Sequence, residues 1–333
     1  MKKQFIFTLI FILISPFFVM GNFTVENYAG LGSHGHLNYP AQFNLPSGIA
    51  YNNGQLFVAD TYNNLIRRIS QNREVSTIAG NVSDLNQYGL PRGAFRDGNT
   101  NNSYFNLPVG IALYENQIFV SDSGNNAIRL IENNRVTTVP ITQSGTTLSS
   151  PTAIVADNTG NLYVANTGNH TIIKIPPSGV ATIIAGALGE SGFTNGTGAE
   201  ARFSSPMGLA LSTDNQTLYV SDTGNNLIRE INLQNTAVTT LVGPGVQLNL
   251  PMGLAYDNDT LYVADSGNHS IKSISPTGNI TTIAGTGATG HTNGPALSAT
   301  FHFPVALAIG DGNIYVSDSW NNMIRLCSSR ILP

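Results

Sequence analysis

Six stretches of this 333-residue chain superimpose almost letter by letter. They are LFVADTYNNLIRRI from Leu56, IFVSDSGNNAIRLI from Ile118, LYVANTGNHTIIKI from Leu162, LYVSDTGNNLIREI from Leu218, LYVADSGNHSIKSI from Leu261 and IYVSDSWNNMIRL from Ile314. Each begins and ends in β-branched and aromatic residues, which fit strands. Each middle is built from Asp, Asn, Ser, Thr and Gly, which bond their own backbone or accept φ > 0. The unit is a hairpin, and its recurrence makes this a repeat protein before any other property is considered.

A further strand precedes each hairpin and opens on proline, at Pro46, Pro108, Pro151, Pro206, Pro251 and Pro304. Proline is tolerated at the first residue of a strand. Two places on stands a small residue (Gly48, Gly110, Ala153, Gly208, Gly253, Ala306), as a crowded approach of neighbouring backbones would require. A fourth strand follows five of the hairpins, over residues 75–80, 136–139, 180–186, 238–243 and 280–285. The sixth hairpin has none after it, but residues 25–30 near the other end of the chain resemble those outer strands. Four strands per repeat, arranged radially, make an all-β, six-bladed β-propeller. The N-terminal strand is expected to close the ring, since an open one leaves an exposed edge.

Residues 1–21 read as a secretory leader: Lys2 and Lys3, an apolar run from Phe5 to Met20, then a small-residue junction. Ser15 and Pro16 interrupt that run, which argues against a spanning anchor. The mature chain, 22–333, is then one propeller domain, secreted or periplasmic, monomeric, and off the membrane once the leader is cleaved. Cys327 is the single cysteine, so no internal disulfide can form, and it reads as a core thiol. A net charge of −4 with no basic stripe argues against a nucleic-acid partner.

Asn169-His170-Thr171 and Asn268-His269-Ser270, with Asn63-Asn64-Leu65 and Asn225-Asn226-Leu227, resemble the Asn-His-Leu motif of the NHL repeat. The resemblance runs from Val25 to Leu326 and implies the propeller fold. It does not imply one activity, because the family includes adhesion and sensor domains, RNA-binding domains and a zinc lyase acting on amidated-peptide precursors. That lyase carries His directly after the strand-opening proline. Here those places hold Ser47, Val109, Thr152, Met207, Met252 and Val305, none of which replaces an imidazole. Calcium-dependent lactonases of similar architecture line the channel with Glu, Asn and Asp, and these strand starts depart from that pattern too.

Four long connectors, residues 31–45, 81–107, 187–205 and 286–303, are expected on the face that bears the hairpin turns. Variable loops on a rigid scaffold make that face the candidate binding surface. Trp320 and Tyr62 occupy a turn position that is Gly in the other four blades. With Tyr39 and His302 they form the expected contact patch for a protein or glycan, at the junction of blades six and one. His34, His36, His291 and His302 lie in the loops entering blades one and six, and could converge on zinc or another divalent metal. The turn residues Asp60, Asp122, Asn166, Asp222, Asp265 and Asp318 read as turn caps rather than ligands. A recurrent basic residue (Arg67, Arg129, Lys174, Arg229, Lys272, Arg325) reads as a brace for the turn. The chain is therefore expected to be a secreted interaction module with no resident cofactor. The alternative is an exported propeller lyase or hydrolase using the histidine loops and a metal.

Overall fold

The computed structural model describes residues 23–142, 146–245 and 248–328, and the expected leader lies outside the described residues. The described residues form six antiparallel sheets, one per repeat. In blade one the strands run, from the innermost outward, Pro46–Asn52, Gln55–Asp60, Leu65–Ile69 and Val75–Ala79. Blade six uses Pro304–Gly310, Asn313–Asp318 and Met323–Ser328, and takes Thr24–Ala29 as its outer strand. Val25 lies opposite Cys327 and Glu26 opposite Leu326, so the N-terminal strand closes the ring as expected.

The middle strands are apolar nearly throughout because both faces of a blade are covered by its neighbours. Leu56, Val58, Ala59, Leu65 and Ile66 are all essentially buried. The core is accordingly a set of layers between consecutive blades. Ile49, Val58 and Ile69 of blade one meet Tyr315, Ile324 and Leu326 of blade six, and Ile66, Ala79 and Phe105 meet Ile111 and Val120 at the next seam. The small residues of the inner strands sit where backbones crowd. A methyl group on Gly208 would come within 1.8 Å of the Met252 carbonyl oxygen, and one on Gly110 within 2.2 Å of that of Thr152.

Each hairpin turn is one 3-10 turn, such as Thr61–Asn63, followed by a left-handed residue. Those residues are Asn64, Asn126, His170, Asn226, His269 and Asn322. Asn is unusually tolerant of that conformation, and the side chain has a second task. Asn64 Oδ1 accepts the N–H of Leu107, and the other five accept in turn from Ser150, Ser205, Leu250, Phe303 and Leu45, at 2.7–3.1 Å. In His170 and His269 the acceptor is Nδ1, which stands where the Asn Oδ1 stands. Each donor belongs to the residue before the next blade's first proline. The motif's Asn or His is therefore a clasp between consecutive blades, and the last of the six, Asn322 to Leu45, runs across the ring closure.

Three of the long connectors contribute something the sequence pattern does not announce. Gly98–Asn99, Gly196–Thr197 and Gly294–Pro295 are two-residue strands laid outside the outer strands of blades two, four and six. They cover sheet edges that would otherwise be open to pairing with another chain.

Candidate functional site

The loop face is held by four buried arginines. Arg67, Arg129, Arg229 and Arg325 are the bulkiest fully buried side chains among the described residues. Burying a guanidinium is tolerable only if it is paired and most of its protons are taken up; here the Nη groups are satisfied while each Nε–H finds no acceptor among the described residues. Arg67 Nη1 reaches Asp60 Oδ2 at 2.7 Å, and Nη2 donates to Asn38 Oδ1 at 2.7 Å and to the Leu37 carbonyl at 3.0 Å. Its plane lies over Phe43. The arrangement recurs with Asp122, Asp97 and Phe105 around Arg129, with Asp222, Asn195 and Phe203 around Arg229, and with Asp318, Asn293 and Phe301 around Arg325. Burial pushes the Asp60 carboxyl up to about 6 against the opposing pull of Arg67. Each arginine thus fastens a long connector to the turn beneath it, and the loops do share the turn face.

Blades three and five have short connectors and no such arginine. In blade five Lys272 lies 3.5 Å from Asp265. In blade three the residue in the arginine's register is Ile173, opposite Val164, and it is fully buried. Lys174, expected to join the bracing series, is one residue out of register and holds its ammonium 5.7 Å from the Tyr163 ring centre instead. The carboxylate has gone as well, since Asn166 uses Nδ2 to reach the Thr147 carbonyl and Thr171 Oγ1. Both members of the ion pair are absent together, so neither leaves a charge unpaired.

The four histidines do not converge into a ligand set, and among the described residues no group of three or more His, Cys, Asp or Glu side chains could hold a metal ion. The brackets explain why. Two residues before the loop acceptors Asn38, Asp97, Asn195 and Asn293 stand His36, Phe95, Phe193 and His291. Phe95 lies 4.8 Å from the Arg129 guanidinium, on a different ring from the buried Phe105 at 5.2 Å. His36 occupies the equivalent place beside Arg67. Its imidazole is held below the usual range by burial and then by the arginine's charge. His34 forms a backbone bridge with Phe43 in the same loop.

His302 joins an aromatic cluster. Its ring lies 5.0 Å from that of Trp320 and 5.8 Å from that of His269, and Trp320 also packs on Phe303 at 5.3 Å. Trp320 nevertheless keeps 56% of its surface exposed. The cluster spans blades five and six, not six and one. Tyr62 and Tyr39 are exposed, at 53% and 94%, but neither ring pairs with Trp320. The glycines at this turn position are not there for left-handed backbone. They make room for the side chain that precedes the first strand of their own blade: a methyl on Gly224 would meet Ser204 Oγ at 2.5 Å. In blade six His302 takes that preceding place, and its ring lies against the indole.

His269 ties this cluster to the clasp, because its Nδ1 can accept the Phe303 N–H only while it is unprotonated. Burial and then the nearby His302 hold its pKa below the usual value, with Asp318 opposing. The neutral form is favoured on folding, so its stabilisation is complete above about pH 6.5 and is lost as the pH falls through the lower folded value. His269→Asn, which restores the side chain found in four other blades, should leave the pH 7 melting temperature nearly unchanged. It should also flatten the drop in melting temperature between pH 7 and pH 5. Equal drops in the two proteins would dismiss the linkage.

A separate concavity is the central channel, a cavity of about 470 Å³ walled by the inner strands. None of the residues lining it is ionisable. Among the described residues no helix is long and apolar enough to cross a membrane.

These features define a six-bladed propeller whose blades are joined through an Asn or His clasp and whose long connectors are fastened by buried arginines. The teneurin NHL domain family matches residues 38–232, and a separate NHL repeat matches residues 248–272; the chain belongs to the NHL-repeat family. Human NHL repeat-containing protein 2 is 31% identical over 331 residues, covering 82% of this chain and 44% of that protein. The chain thus spans a little under half the length of that curated relative. A gluconolactonase from Xanthomonas campestris superposes with a TM-score of 0.63 at 14% identity, over 93% of this chain and 90% of that one. Virginiamycin B lyase from Staphylococcus aureus does so at 0.56 and 16% identity, again over 93% and 90%. At these identities the likeness is one of fold.

Proposed function

We propose that this protein is an exported binding module that captures a protein or glycan partner on its loop face, acting as a monomer and without a resident metal. The observation that carries the reading is Trp320. A ring more than half exposed, braced from two sides by His302 and Phe303, is ordered before a partner arrives and loses little freedom on binding. Large rigid aromatics of this kind are favoured as interface anchors. The leader-like residues 1–21 support export. An enzyme working in the channel would need an acid, a base or a metal ligand there, and the lining supplies none.

Truncating such an anchor typically costs about 2 kcal/mol or more of binding energy. Trp320→Ala should therefore weaken capture by well over tenfold, with the melting temperature nearly unchanged. The check is to compare the two proteins on a glycan array and in pull-downs from the native extracellular fraction. Undiminished capture by the variant, or loss that tracks unfolding, would sink the reading.

A further inference from the structure

We infer that the central channel is a binding site for an uncharged small molecule with an apolar body and a hydroxyl or N–H at one end. The cavity of about 470 Å³ falls within the range of small-molecule pockets, which are mostly apolar with a few placed polar groups. Its wall is a ring of six aliphatic side chains, one from each blade: Ile49, Ile111, Ile154, Leu209, Leu254 and Leu307. These are held in the inter-blade layers and are almost fully buried, so the wall is fixed before anything enters.

The polar groups are unevenly distributed. Ser47, Ser123, Ser150, Thr152 and Thr167 all come from blades one to three, whereas blades four to six contribute Met207, Met252 and Val305 at the level of Ser47 and Thr152. Thr152 and Thr167 hydroxyls lie 2.6 Å apart, so one donates to the other, and the remaining proton goes to the Met207 or Pro206 carbonyl. Their protons are committed, and what remains for a ligand is acceptor capacity. A guest that donates an O–H or N–H on this side is matched. Ser123 and Ser150 add hydroxyls with no side-chain hydrogen bond among the described residues. The innermost strand of every blade pairs on one side only, so its other edge adds peptide groups but no charge.

Charge decides what stays out. With no ionisable side chain in the lining, a carboxylate, sulfonate or ammonium would enter unpaired, and an unpaired buried charge is strongly disfavoured. The same absence leaves no base to activate the lining hydroxyls and no acid to protonate a guest, so the channel is read as a binding site only.

The test uses two dyes with one skeleton. N-phenyl-1-naphthylamine is neutral and carries one N–H; 8-anilino-1-naphthalenesulfonate adds a sulfonate to the same rings. Fluorescence titration of the intact protein should give one saturable site for the neutral dye and at least tenfold weaker binding for the sulfonate. Equal affinities, or no saturable binding of the neutral dye, would overturn the proposal without needing any variant. Val305→Trp and Met252→Trp, at partly exposed channel positions, should each abolish the site by filling it. A variant that melts like the parent and still binds would place the dye elsewhere. Trp320→Ala should keep the dye site; its loss there would assign the dye to the aromatic cluster and refute the channel, leaving the loop-face reading to its own test.

Discussion

Replacing Arg229 by Ile alone is expected to cost about 3–5 kcal/mol of folding stability, as breaking a buried ion pair from one side generally does. Asp222 would remain fully buried, keeping Asn225 and the Ser204 N–H but without a cation. The carbonyls of Arg202 and Thr194 and the Asn195 side chain would lose their donor. Adding Asp222→Asn should return part of the loss, because it removes the stranded charge and reproduces what blade three carries as Asn166 and Ile173. Recovery should be incomplete, because Leu227 stands where blade three has Thr171 to receive the amide. Urea midpoints at constant slope would measure both steps. A single variant costing under about 1 kcal/mol, or a double variant less stable than the single, would show that the bracket is not an energetic unit.

Deleting residues 23–29 should have an effect of similar or larger size. It would strip the outer strand from Met323–Ser328, unseat Val25 from the layer it shares with Phe301 and Val316, and leave Gly294–Pro295 with nothing to pair. For a chain of this size about 1 kcal/mol shifts the melting temperature by roughly 2–4 °C, so a fall of more than about 10 °C, or failure to fold, is expected. Cys327 provides a second readout. Burial pushes its thiol up to about 12, and in the closed ring it is inaccessible. Ellman's reagent should leave the parent untouched and label the truncated protein rapidly. A truncated protein that melts like the parent with a silent thiol would mean that the ring closes some other way.

The architecture was legible because one pattern is repeated: six hairpins give the blade count, and the likeness of residues 25–30 to the other outer strands gives the closure. The brackets were not legible. Arg67 lies seven residues after Asp60 in every copy that has the pair, but its loop partner Asn38 lies 29 residues before it and Asp97 lies 32 before Arg129. Connectors of unequal length hide the alignment, and reading Lys174 one place out of register obscured the blade that lacks the pair. The histidines misled for the same reason. His36 and His291 match Phe95 and Phe193 only after the loops are aligned on their acceptors, and in two of the four loops, at Phe95 and His36, the ring at that place lies by the buried guanidinium. Trp320 was picked out as unusual and His302 was grouped with it, while Phe303 and His269 could be assigned as its neighbours only with coordinates.

The pairing of long connector with buried arginine means that surface variation and core composition are not independent here. A loop of the bracketed kind arrives with an acceptor and a phenylalanine that are of use only if the blade beneath offers Asp and Arg, and a blade that offers them to a short connector is left with guanidinium protons that lack their loop acceptors. For anyone wishing to graft recognition loops onto this scaffold, the unit of exchange is therefore not the loop. It is the loop together with two positions on the strands below it. Blades three and five are the vacant sockets, and blade three would have to be rewritten at Asn166 and Ile173 before it could hold a guest.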